Sequence, residues 1–382
     1  MKIVFYIPSL ERGGVERTIV NLSTVLSDQA HDIEIIAVRY DQVLIDQLQD
    51  GIKFTTVGDS SISKMVHRIV RPLSHRLASS MVSMPGLIAF MRRERPDAII
   101  AFQSGVVAIA AIKLTRTRGK VIVREASSPS TALAEKGLFA RTAVKTAKRI
   151  AYRMADAIVA NSTESADDLA EVLGVPKEKV KTIYNPAYSD SLTVNSKSQI
   201  SHPWFQDDAL PIVITVSRFS PEKGLDVLIA AAAKASQQVN FRLVILGDGG
   251  ERPALEDLVS ELGIEGMIDM PGYQSNPYPF IAKSDLFVLP SRREGLPNAL
   301  IEALALGVPA VSTRCKSGPR EILLEGDGGY LVDVDDVEAM ASAIVTSLTD
   351  RTTALERLEA ARQHLGRFRP EMASVAWQEV IE

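Results

Sequence analysis

The sequence predicts an α/β protein made of two doubly wound parallel sheets. Short apolar segments alternate with amphipathic helical segments from one end of the chain to the other. Several apolar segments, such as 212–216 and 286–289, are apolar at nearly every position, as in strands covered on both faces. Alternation of such strands with helices favours parallel sheets with crossover helices. The 382 residues suffice for two domains, each with its own core.

The predicted strands fall into two groups. Those of the first half are 2–7, 33–38, 52–57, 97–102, 120–124, 156–160 and 181–184. Those of the second half are 211–217, 241–246, 267–270, 285–289, 308–312 and 329–332. The segment after the first strand repeats its apolar residues at helical spacing, which predicts a crossover helix. Its apolar face consists of Val15, Ile19, Leu22 and Leu26.

Residues 188–208 are polar, rich in serine and without a period, which predicts a linker. We therefore expect a first domain at 1–187, a second at 209–368 and a final helical segment at 369–382. Composition is ordinary for a soluble globular protein, with 46% hydrophobic and 24% charged residues. The apolar stretch 98–114 is short for a membrane span and predicts a buried strand plus a helix.

One cysteine, Cys315, excludes an internal disulfide framework and is compatible with a reducing compartment. The first residues predict a strand rather than a signal peptide. We expect a cytoplasmic protein.

The net charge of −4 hides an uneven distribution. Residues 1–190 hold 26 basic and 20 acidic side chains, and residues 62–153 hold 18 basic and 4 acidic ones. Basic and apolar residues mix within 62–84 and 141–153, a pattern typical of surfaces that bind anionic lipid. A solvated basic face over an ordinary core contact explains the pattern equally well. A nucleic-acid partner is disfavoured, because no reading module is recognisable and the other half of the chain is acidic.

Two carboxylates, Glu294 and Glu302, flank the start of a predicted helix, with Pro297 suited to its first turn. The free N–H groups of a helix start attract anions. A ligand that has both phosphates and hydroxyls satisfies this arrangement, and a nucleotide-sugar is such a ligand. Taken singly, each glutamate is more simply explained as a surface residue.

Four loops after predicted strands add candidate ligand contacts. Gly13 and Gly14 let a backbone approach a phosphate, although an ordinary tight turn is an equal explanation. Ser217, Arg218 and Lys223 form a loop whose two cations suit a diphosphate.

The third loop contains Gly247 but lacks the last glycine of a dinucleotide-binding turn, because Arg252 stands there. In the fourth loop, Tyr273 offers a ring to a nucleobase, and a packed surface tyrosine is an equal explanation.

Five motifs in this order resemble the donor-binding domain of the family 4 retaining glycosyltransferases of the GT-B fold. They are Ser217-Arg-Phe-Ser-Pro-Glu-Lys-Gly224, Gly247-Asp-Gly249, Pro290-Ser-Arg-Arg-Glu-Gly-Leu-Pro-Asn298, Glu302-Ala-Leu-Ala-Leu-Gly-Val-Pro309 and Ser317-Gly-Pro-Arg-Glu321. The resemblance implies two Rossmann-like domains that face a central cleft, the first binding the acceptor and the second the nucleotide-sugar. It also implies that the last helix crosses back onto the first domain.

The resemblance assigns roles to individual residues. Arg218 and Lys223 would bind the donor diphosphate, Glu294 the transferred sugar and Glu302 the ribose. The backbone of Gly295, Leu296, Pro297 and Asn298 would line the sugar and phosphates, and Gly13 and Gly14 would close over the diphosphate. Transfer would proceed with retention, the leaving phosphate helping to take the acceptor's proton.

The chain departs from the family at one position. Many members carry a histidine in the loop after the strand corresponding to 120–124, where this chain has Ala126. Arg124 and Glu125 are the candidates to contribute there instead. Histidine and cysteine do not cluster at ligand spacing, so we expect no metal and no cofactor. Asp333-Val-Asp335 spells a metal-binding pattern of another fold, but its place before a helix favours an N-cap.

The sequence therefore predicts a retaining glycosyltransferase that moves a sugar, a UDP-sugar being the default donor, to a glycan or polyprenyl-linked acceptor. Cell-surface polysaccharide or lipopolysaccharide assembly is the pathway expected by analogy. We expect the enzyme to lie at the inner face of the plasma membrane. The alternatives are another GT-B enzyme, either a phosphorylase or a nucleotide-sugar epimerase, and a non-catalytic nucleotide-sugar sensor.

Overall fold

The computed structural model describes residues 1–10, 13–57, 75–103, 105–134, 136–207 and 209–382. It divides the chain into two compact units. The first unit contains residues 1–186 together with 370–382, and the second contains residues 187–369. Each unit is a parallel sheet with helices between its strands, which confirms the predicted fold class.

The first unit holds a seven-stranded sheet in the order β3-β2-β1-β4-β5-β6-β7, and each neighbouring pair is parallel. Its strands are β1 (Lys2–Leu10), β2 (Asp32–Tyr40), β3 (Lys53–Thr56), β4 (Ala98–Phe102), β5 (Lys120–Glu125), β6 (Ala157–Ala160) and β7 (Val180–Thr182). The central strands are buried almost throughout because helices cover both faces of the sheet.

The described helices of the first unit connect these strands. They are α1 (Gly14–Ser27), α2 (Gln42–Ile45), α3 (His75–Glu94), α4 (Gly105–Thr115), α5 (Pro129–Ala134), α6 (Leu138–Arg153) and α7 (Thr163–Leu173). The final helix, which we number α16 (Pro370–Ile381), belongs to this unit and packs on α1. Its buried residues Ala373, Trp377 and Ile381 join the core formed by β1, β2 and α1. The spacing of these three residues at four-residue intervals explains why one face of the helix is buried.

The second unit holds a six-stranded parallel sheet in the order β10-β9-β8-β11-β12-β13. Its strands are β8 (Ile212–Val216), β9 (Arg242–Leu246), β10 (Ile268–Gly272), β11 (Leu286–Leu289), β12 (Ala310–Thr313) and β13 (Tyr330–Val332). Its helices are α8 (Asp190–Asn195), α9 (Leu225–Ala235), α10 (Arg252–Glu261), α11 (Tyr278–Ala282), α12 (Asn298–Ala305), α13 (Pro319–Ile322), α14 (Val337–Thr349) and α15 (Arg351–Arg362).

The strand order creates a switch point within the second unit. From β8 the chain moves outward to β9 and β10, and it then returns to β11 on the other side of β8. The loops that follow β8 and β11 therefore leave the same edge of the sheet beside each other, the position where doubly wound sheets bind ligands. These loops contain Arg218 and Lys223 on one side and Glu294 on the other.

Two local features differ from the expectation. Residues 188–208, expected to form a linker between the domains, include α8 and a short 3₁₀ helix at Pro203–Phe205, and they belong to the second unit. Pro297 was expected in the first helical turn, but its extended backbone (φ −75°, ψ 100°) precedes α12, which begins at Asn298. A proline is compatible with both positions, because neither requires its N–H group.

Candidate functional site

The second unit brings Lys223 and Glu294 into direct contact. The ammonium nitrogen Nζ of Lys223 lies 2.7 Å from the carboxylate oxygen Oε1 of Glu294. The hydroxyl of Ser291 donates to the same oxygen at 2.6 Å. The side chain of Glu294 is 10% exposed and that of Lys223 is 23% exposed. The two residues, 71 positions apart, thus form a half-buried charged pair where the β8 and β11 loops meet.

Ser217 and Arg218 continue directly from the end of β8. The backbone N–H of Ser217 donates to the Leu246 carbonyl at 3.0 Å, and that of Phe219 donates to the Asp248 carbonyl at 2.9 Å. These bonds hold the β8 loop against the β9 loop, with the side chain of Arg218 exposed. Arg218 and Lys223 therefore lie on one loop, which backbone hydrogen bonds attach to the β9 loop.

Gly247 is required by this contact between loops. Its φ of +134° lies in the region that favours glycine, and a Cβ there would overlap the Ser217 carbonyl oxygen. Gly318 is required for a similar reason. Its φ is +85°, and a Cβ there would lie 2.7 Å from Pro297 Cδ and 2.8 Å from the Gly295 carbonyl oxygen. These two glycines allow neighbouring backbone segments of the predicted site to pack closely.

Glu302 lies inside α12 and is buried, with 6% of its surface exposed. The Tyr278 hydroxyl donates to its Oε1 at 3.3 Å. Asn298 begins the same helix, and Gly295, Leu296 and Pro297 form the turn that leads into it. Tyr273 follows β10 and is 38% exposed. The structure thus places the predicted contacts of the second unit on loops and a helix start after β8, β9, β10 and β11.

Arg292 is a residue whose role the sequence motif did not reveal. Its guanidinium donates to both carboxylate oxygens of Asp226, at 3.0 and 2.7 Å, and to Asp335 at 2.6 Å. It also donates to the Pro221 carbonyl at 2.6 Å. The hydrogen bonds that Arg292 donates to Asp226 above all, and then the one it donates to Asp335, raise the pKa of Arg292. In the sequence, the only indication of a role for Arg292 was its position two residues before Glu294.

The Asp333-Val-Asp335 segment engages arginines. Asp333 pairs with Arg314 at 3.2 Å and Asp335 pairs with Arg292. The N-cap of α14 is the next residue, Asp336, whose carboxylate accepts from the Ala339 N–H at 2.9 Å. Among the described residues, His, Cys, Asp and Glu do not form a group of three that could hold a metal ion. Independence from metals and cofactors stays a prediction.

The first unit places Gly13 immediately before α1 and Gly14 at the first position of that helix. Gly13 is extended, with φ 176°, so it does not need the positive φ that only glycine adopts readily. A Cβ at Gly14 would meet no atom within 4 Å, and α1 begins at this residue. Residues 11 and 12 lie outside the described residues. Conformation therefore does not explain Gly13 and crowding does not explain Gly14, and the phosphate contact of the pair stays a prediction.

Arg124 and Glu125 end β5 and both are buried. Arg124 donates to Asn185 and lies over the Phe102 ring at 5.3 Å. Burial lowers the pKa of Arg124 to about 10, so the group keeps its charge at neutral pH. Glu125 accepts from the Lys148 ammonium at 2.8 Å and from the Tyr152 hydroxyl. Burial first, and then the charge of Glu125, raise the pKa of Tyr152.

The helix α6 carries part of the predicted basic surface. Ala151 and Tyr152 near its end are buried, whereas its first turns are exposed. One exposed face of this helix carries Leu138, Arg141, Thr142, Lys145, Thr146 and Arg149. The neighbouring Phe139 is 91% exposed. Of the other predicted basic segment, 62–84, residues 62–74 lie outside the described residues.

A bilayer-spanning helix is not found in the part of the chain that the structure describes: no helix there is both long and apolar enough.

Two family models match the chain. The model of Glycosyltransferase Family 4 matches residues 12–189, and the model of Glycosyl transferases group 1 matches residues 196–364.

Individual proteins show the same similarity. The lipopolysaccharide core biosynthesis glycosyltransferase LpsE of Rhizobium meliloti is 32% identical over 60% of the chain and 65% of its own length, just under two thirds. A Campylobacter jejuni N-acetylgalactosaminyltransferase acting on a diphospho-undecaprenol acceptor is 27% identical over 91% of the chain and 90% of its own length. The Anabaena protein HepE, solved with UDP and glucose, has a TM-score of 0.79 at 20% identity, covering 100% of this chain and 99% of that one. At that identity, HepE supports the GT-B fold alone.

Proposed function

Because the chain belongs to the GT-B glycosyltransferases, with a family 4 domain followed by a group 1 domain, we propose that it transfers a sugar from a nucleoside diphosphate to a glycan or lipid-linked acceptor with retention. The observation that carries this proposal is the Lys223–Glu294 pair at the switch point of the second sheet. A cation and a carboxylate in contact suit a ligand that joins a diphosphate to a hydroxyl-bearing sugar.

Each member of the pair has a distinct task in this reaction. The bond between the anomeric carbon and the β-phosphate oxygen breaks, and the acceptor hydroxyl oxygen bonds to that carbon on the same face. The ammonium of Lys223 and the guanidinium of Arg218 stabilise the negative charge that grows on the departing phosphate. The phosphate takes the acceptor's proton. Glu294 accepts hydrogen bonds from the sugar hydroxyls and orients the ring.

The nucleotide of this donor is proposed to be uridine diphosphate. HepE was solved with UDP and with UDP-glucose, and its likeness motivates the choice. Glu302 is proposed to hold the ribose, and Tyr273 to contact the base. The partial exposure of Tyr273 and the burial of Glu302 inside α12 support these roles.

Calorimetric titration with UDP, GDP and ADP tests the donor site. We expect UDP to bind and the Arg218→Ala variant to lose at least about tenfold in affinity, since a charge-assisted contact to phosphate is removed. Binding of GDP or ADP instead of UDP would change the assigned nucleotide of the donor but would still support the assigned location of the donor site. Failure of all three to bind, in a protein with a normal thermal transition, would contradict the proposed function.

The acceptor is proposed to be a lipid-linked glycan at the cytoplasmic face of the membrane. Relatives named for lipopolysaccharide core biosynthesis and for a diphospho-undecaprenol acceptor support this class. The exposed cations of α6 suit the phosphates of a membrane surface, and Leu138 and Phe139 suit its apolar boundary. Peripheral binding through this helix would bring the enzyme to a membrane-held acceptor.

Vesicle sedimentation at low salt tests the membrane surface. We expect the protein to bind vesicles that contain about 30% anionic lipid. The triple variant Arg141→Gln, Lys145→Gln, Arg149→Gln should lose this binding. Three dispersed exposed lysines, Lys177, Lys197 and Lys283, provide a control with the same change in net charge. Equal loss in both triple variants would contradict a surface located on α6.

A further inference from the structure

The guanidinium of Arg292 connects three segments of the second unit. It contacts Pro221 in the β8 loop, Asp226 in the first turn of α9 and Asp335 in the loop after β13. The contact with Asp226 is bidentate, the geometry that distinguishes arginine from lysine. One side chain thereby links its own loop to Asp226 and Asp335, which lie 66 and 43 positions away along the chain.

The backbone of Arg292 strengthens the same link. Its N–H donates to the Glu222 carbonyl at 2.8 Å. Together, the side chain and the backbone of Arg292 hold Pro221 and Glu222, the two residues that immediately precede Lys223. Pro221–Lys223 form a single 3₁₀ turn, so fixing two of its carbonyls restricts where the third residue lies.

The other end of the link lies beside Glu294. Ser291 precedes Arg292, donates to Glu294 and has its own carbonyl bonded by the Thr313 hydroxyl at 2.5 Å. Residues 291–294 are thus held on β12 from one side and on the β8 loop from the other. Besides the direct Lys223–Glu294 contact, Arg292 therefore provides a second connection between the segment with Glu294 and the turn with Lys223.

We propose that Arg292 is a positioning residue that sets the separation of Lys223 and Glu294. It acts through these two residues and not by touching the ligand, because its guanidinium donates to Asp226, Asp335 and Pro221. The proposal rests on the proposed function for its catalytic consequence, but the linkage itself consists of contacts within the protein.

The alternative is that Arg292 adds only general stability to the second unit. A surface arginine–aspartate pair contributes little stability by itself. Arg314, which follows β12, forms such a pair with Asp333, which follows β13, at 3.2 Å, and it also donates to the Leu331 carbonyl. Arg314→Gln therefore removes a comparable pair without touching the linkage, and it serves as the matched control.

Hydrogen exchange measured by mass spectrometry tests the linkage. In Arg292→Gln we expect peptides covering 219–226 and 290–296 to exchange at least about tenfold faster, since bonds that hold both segments are lost. Arg314→Gln should leave both peptides at wild-type rates. Asp335→Asn, which removes the negative charge from one exposed partner of the guanidinium, should give an intermediate increase. Unchanged exchange in Arg292→Gln would overturn the proposal.

A double-mutant cycle with UDP tests whether Arg292 acts through Lys223. We expect Arg292→Gln to weaken UDP binding by between about tenfold and a hundredfold in the wild-type background. In the Lys223→Ala background the same change should have almost no effect, because the group being positioned is gone. Equal losses in both backgrounds would overturn the positioning role.

The two measurements separate the failure of this inference from the failure of the proposed function. A wild-type protein that binds none of UDP, GDP and ADP would count against the proposed function. Faster exchange in both segments of Arg292→Gln would still support the linkage in that case. Arg292→Lys sharpens the result: lysine cannot reproduce the bidentate contact, so we expect it not to restore the wild-type exchange rates.

Discussion

The ammonium of Lys223 and the carboxylate of Glu294 meet at 2.7 Å, although 71 positions separate them in the sequence. The contact arises because β8 and β11 are neighbours in the sheet while β9 and β10 lie on the far side of β8. The charge of each residue offsets the cost of partly burying the other. A ligand that engages both groups therefore finds them already arranged, which lowers the entropy lost on binding.

Glu294→Gln should separate the sugar contact from the nucleotide contact. We expect kcat/KM for the donor to fall by about ten- to a hundredfold, because a hydrogen bond to a charged group is weakened. UDP affinity should change by less than about threefold, since UDP lacks the sugar. Steady-state transfer assays and calorimetry measure the two effects. Glu325→Gln, an exposed residue paired with Arg320, is the control. Equal loss in both readouts would place Glu294 on the nucleotide instead.

Gly247→Ala should destabilise the second unit. The added Cβ would overlap the Ser217 carbonyl at a φ of +134°, so the β8 and β9 loops must separate. We expect the free energy of unfolding to fall by about 1–3 kcal/mol, as for strained backbone positions. Gly250→Ala is the control, because a Cβ there meets no atom within 4 Å, and it should stay within about 0.5 kcal/mol of wild type. Chemical denaturation measures both, and similar values would contradict the assigned contact.

Tyr152→Phe should weaken the core of the first unit. Removing the hydroxyl takes one of the described hydrogen bonds from the buried Glu125 carboxylate and leaves the Lys148 ammonium in contact with it. We expect a loss of about 1–3 kcal/mol in the free energy of unfolding. Tyr40→Phe removes a hydroxyl from a ring that is 45% exposed and should change stability by less than about 0.5 kcal/mol. An unaltered Tyr152→Phe protein would show that this bond contributes no net stability.

Asp226 should make the stability of the second unit depend on pH in the acidic range. Burial alone would raise its pKa, but the hydrogen bonds and charge of Arg292 together lower it. The folded protein therefore binds fewer protons at this site than the unfolded chain. The stability from this carboxylate is present above the unfolded pKa of about 4 and is lost as the pH falls through the lower folded value.

Thermal unfolding of Asp226→Asn across this range measures the effect. We expect the variant to melt below wild type at pH 6, with the difference closing as the pH falls below about 4. In the Arg292→Gln background the same substitution should leave a smaller difference at pH 6. A difference that does not vary with pH would show that the carboxylate acts through packing alone.

The order of elements was available from the sequence to a large extent. Each predicted strand overlaps one of the strands that the structure describes, because strands buried on both faces are apolar at almost every position. The prediction of two parallel-sheet domains is confirmed for the same reason. Boundaries were less certain: Pro297 suits the N-cap as well as the first turn, and the short α8 lacks enough turns to show a period.

The candidate site was predictable in its residue types but not in its contacts. The loops with Arg218, Lys223 and Glu294 stood out because polar residues follow apolar strands. Gly247 was expected to line the donor site, which stays a prediction; close backbone packing explains why this position and Gly318 are glycines. Packing of this kind depends on which loops become neighbours, and a single sequence does not contain that information.

By itself the sequence determined two α/β domains, because local alternation of apolar strands and amphipathic helices is sufficient to specify that architecture. Only the tertiary structure decided that Lys223 meets Glu294 and that Arg292 joins their two loops. It also decided that Asp335 pairs with Arg292, a role that a local Asp-x-Asp pattern cannot reveal. The physical reason is that hydrogen bonds and ion pairs depend on distances of about 3 Å, and these distances are set by strand order across the sheet.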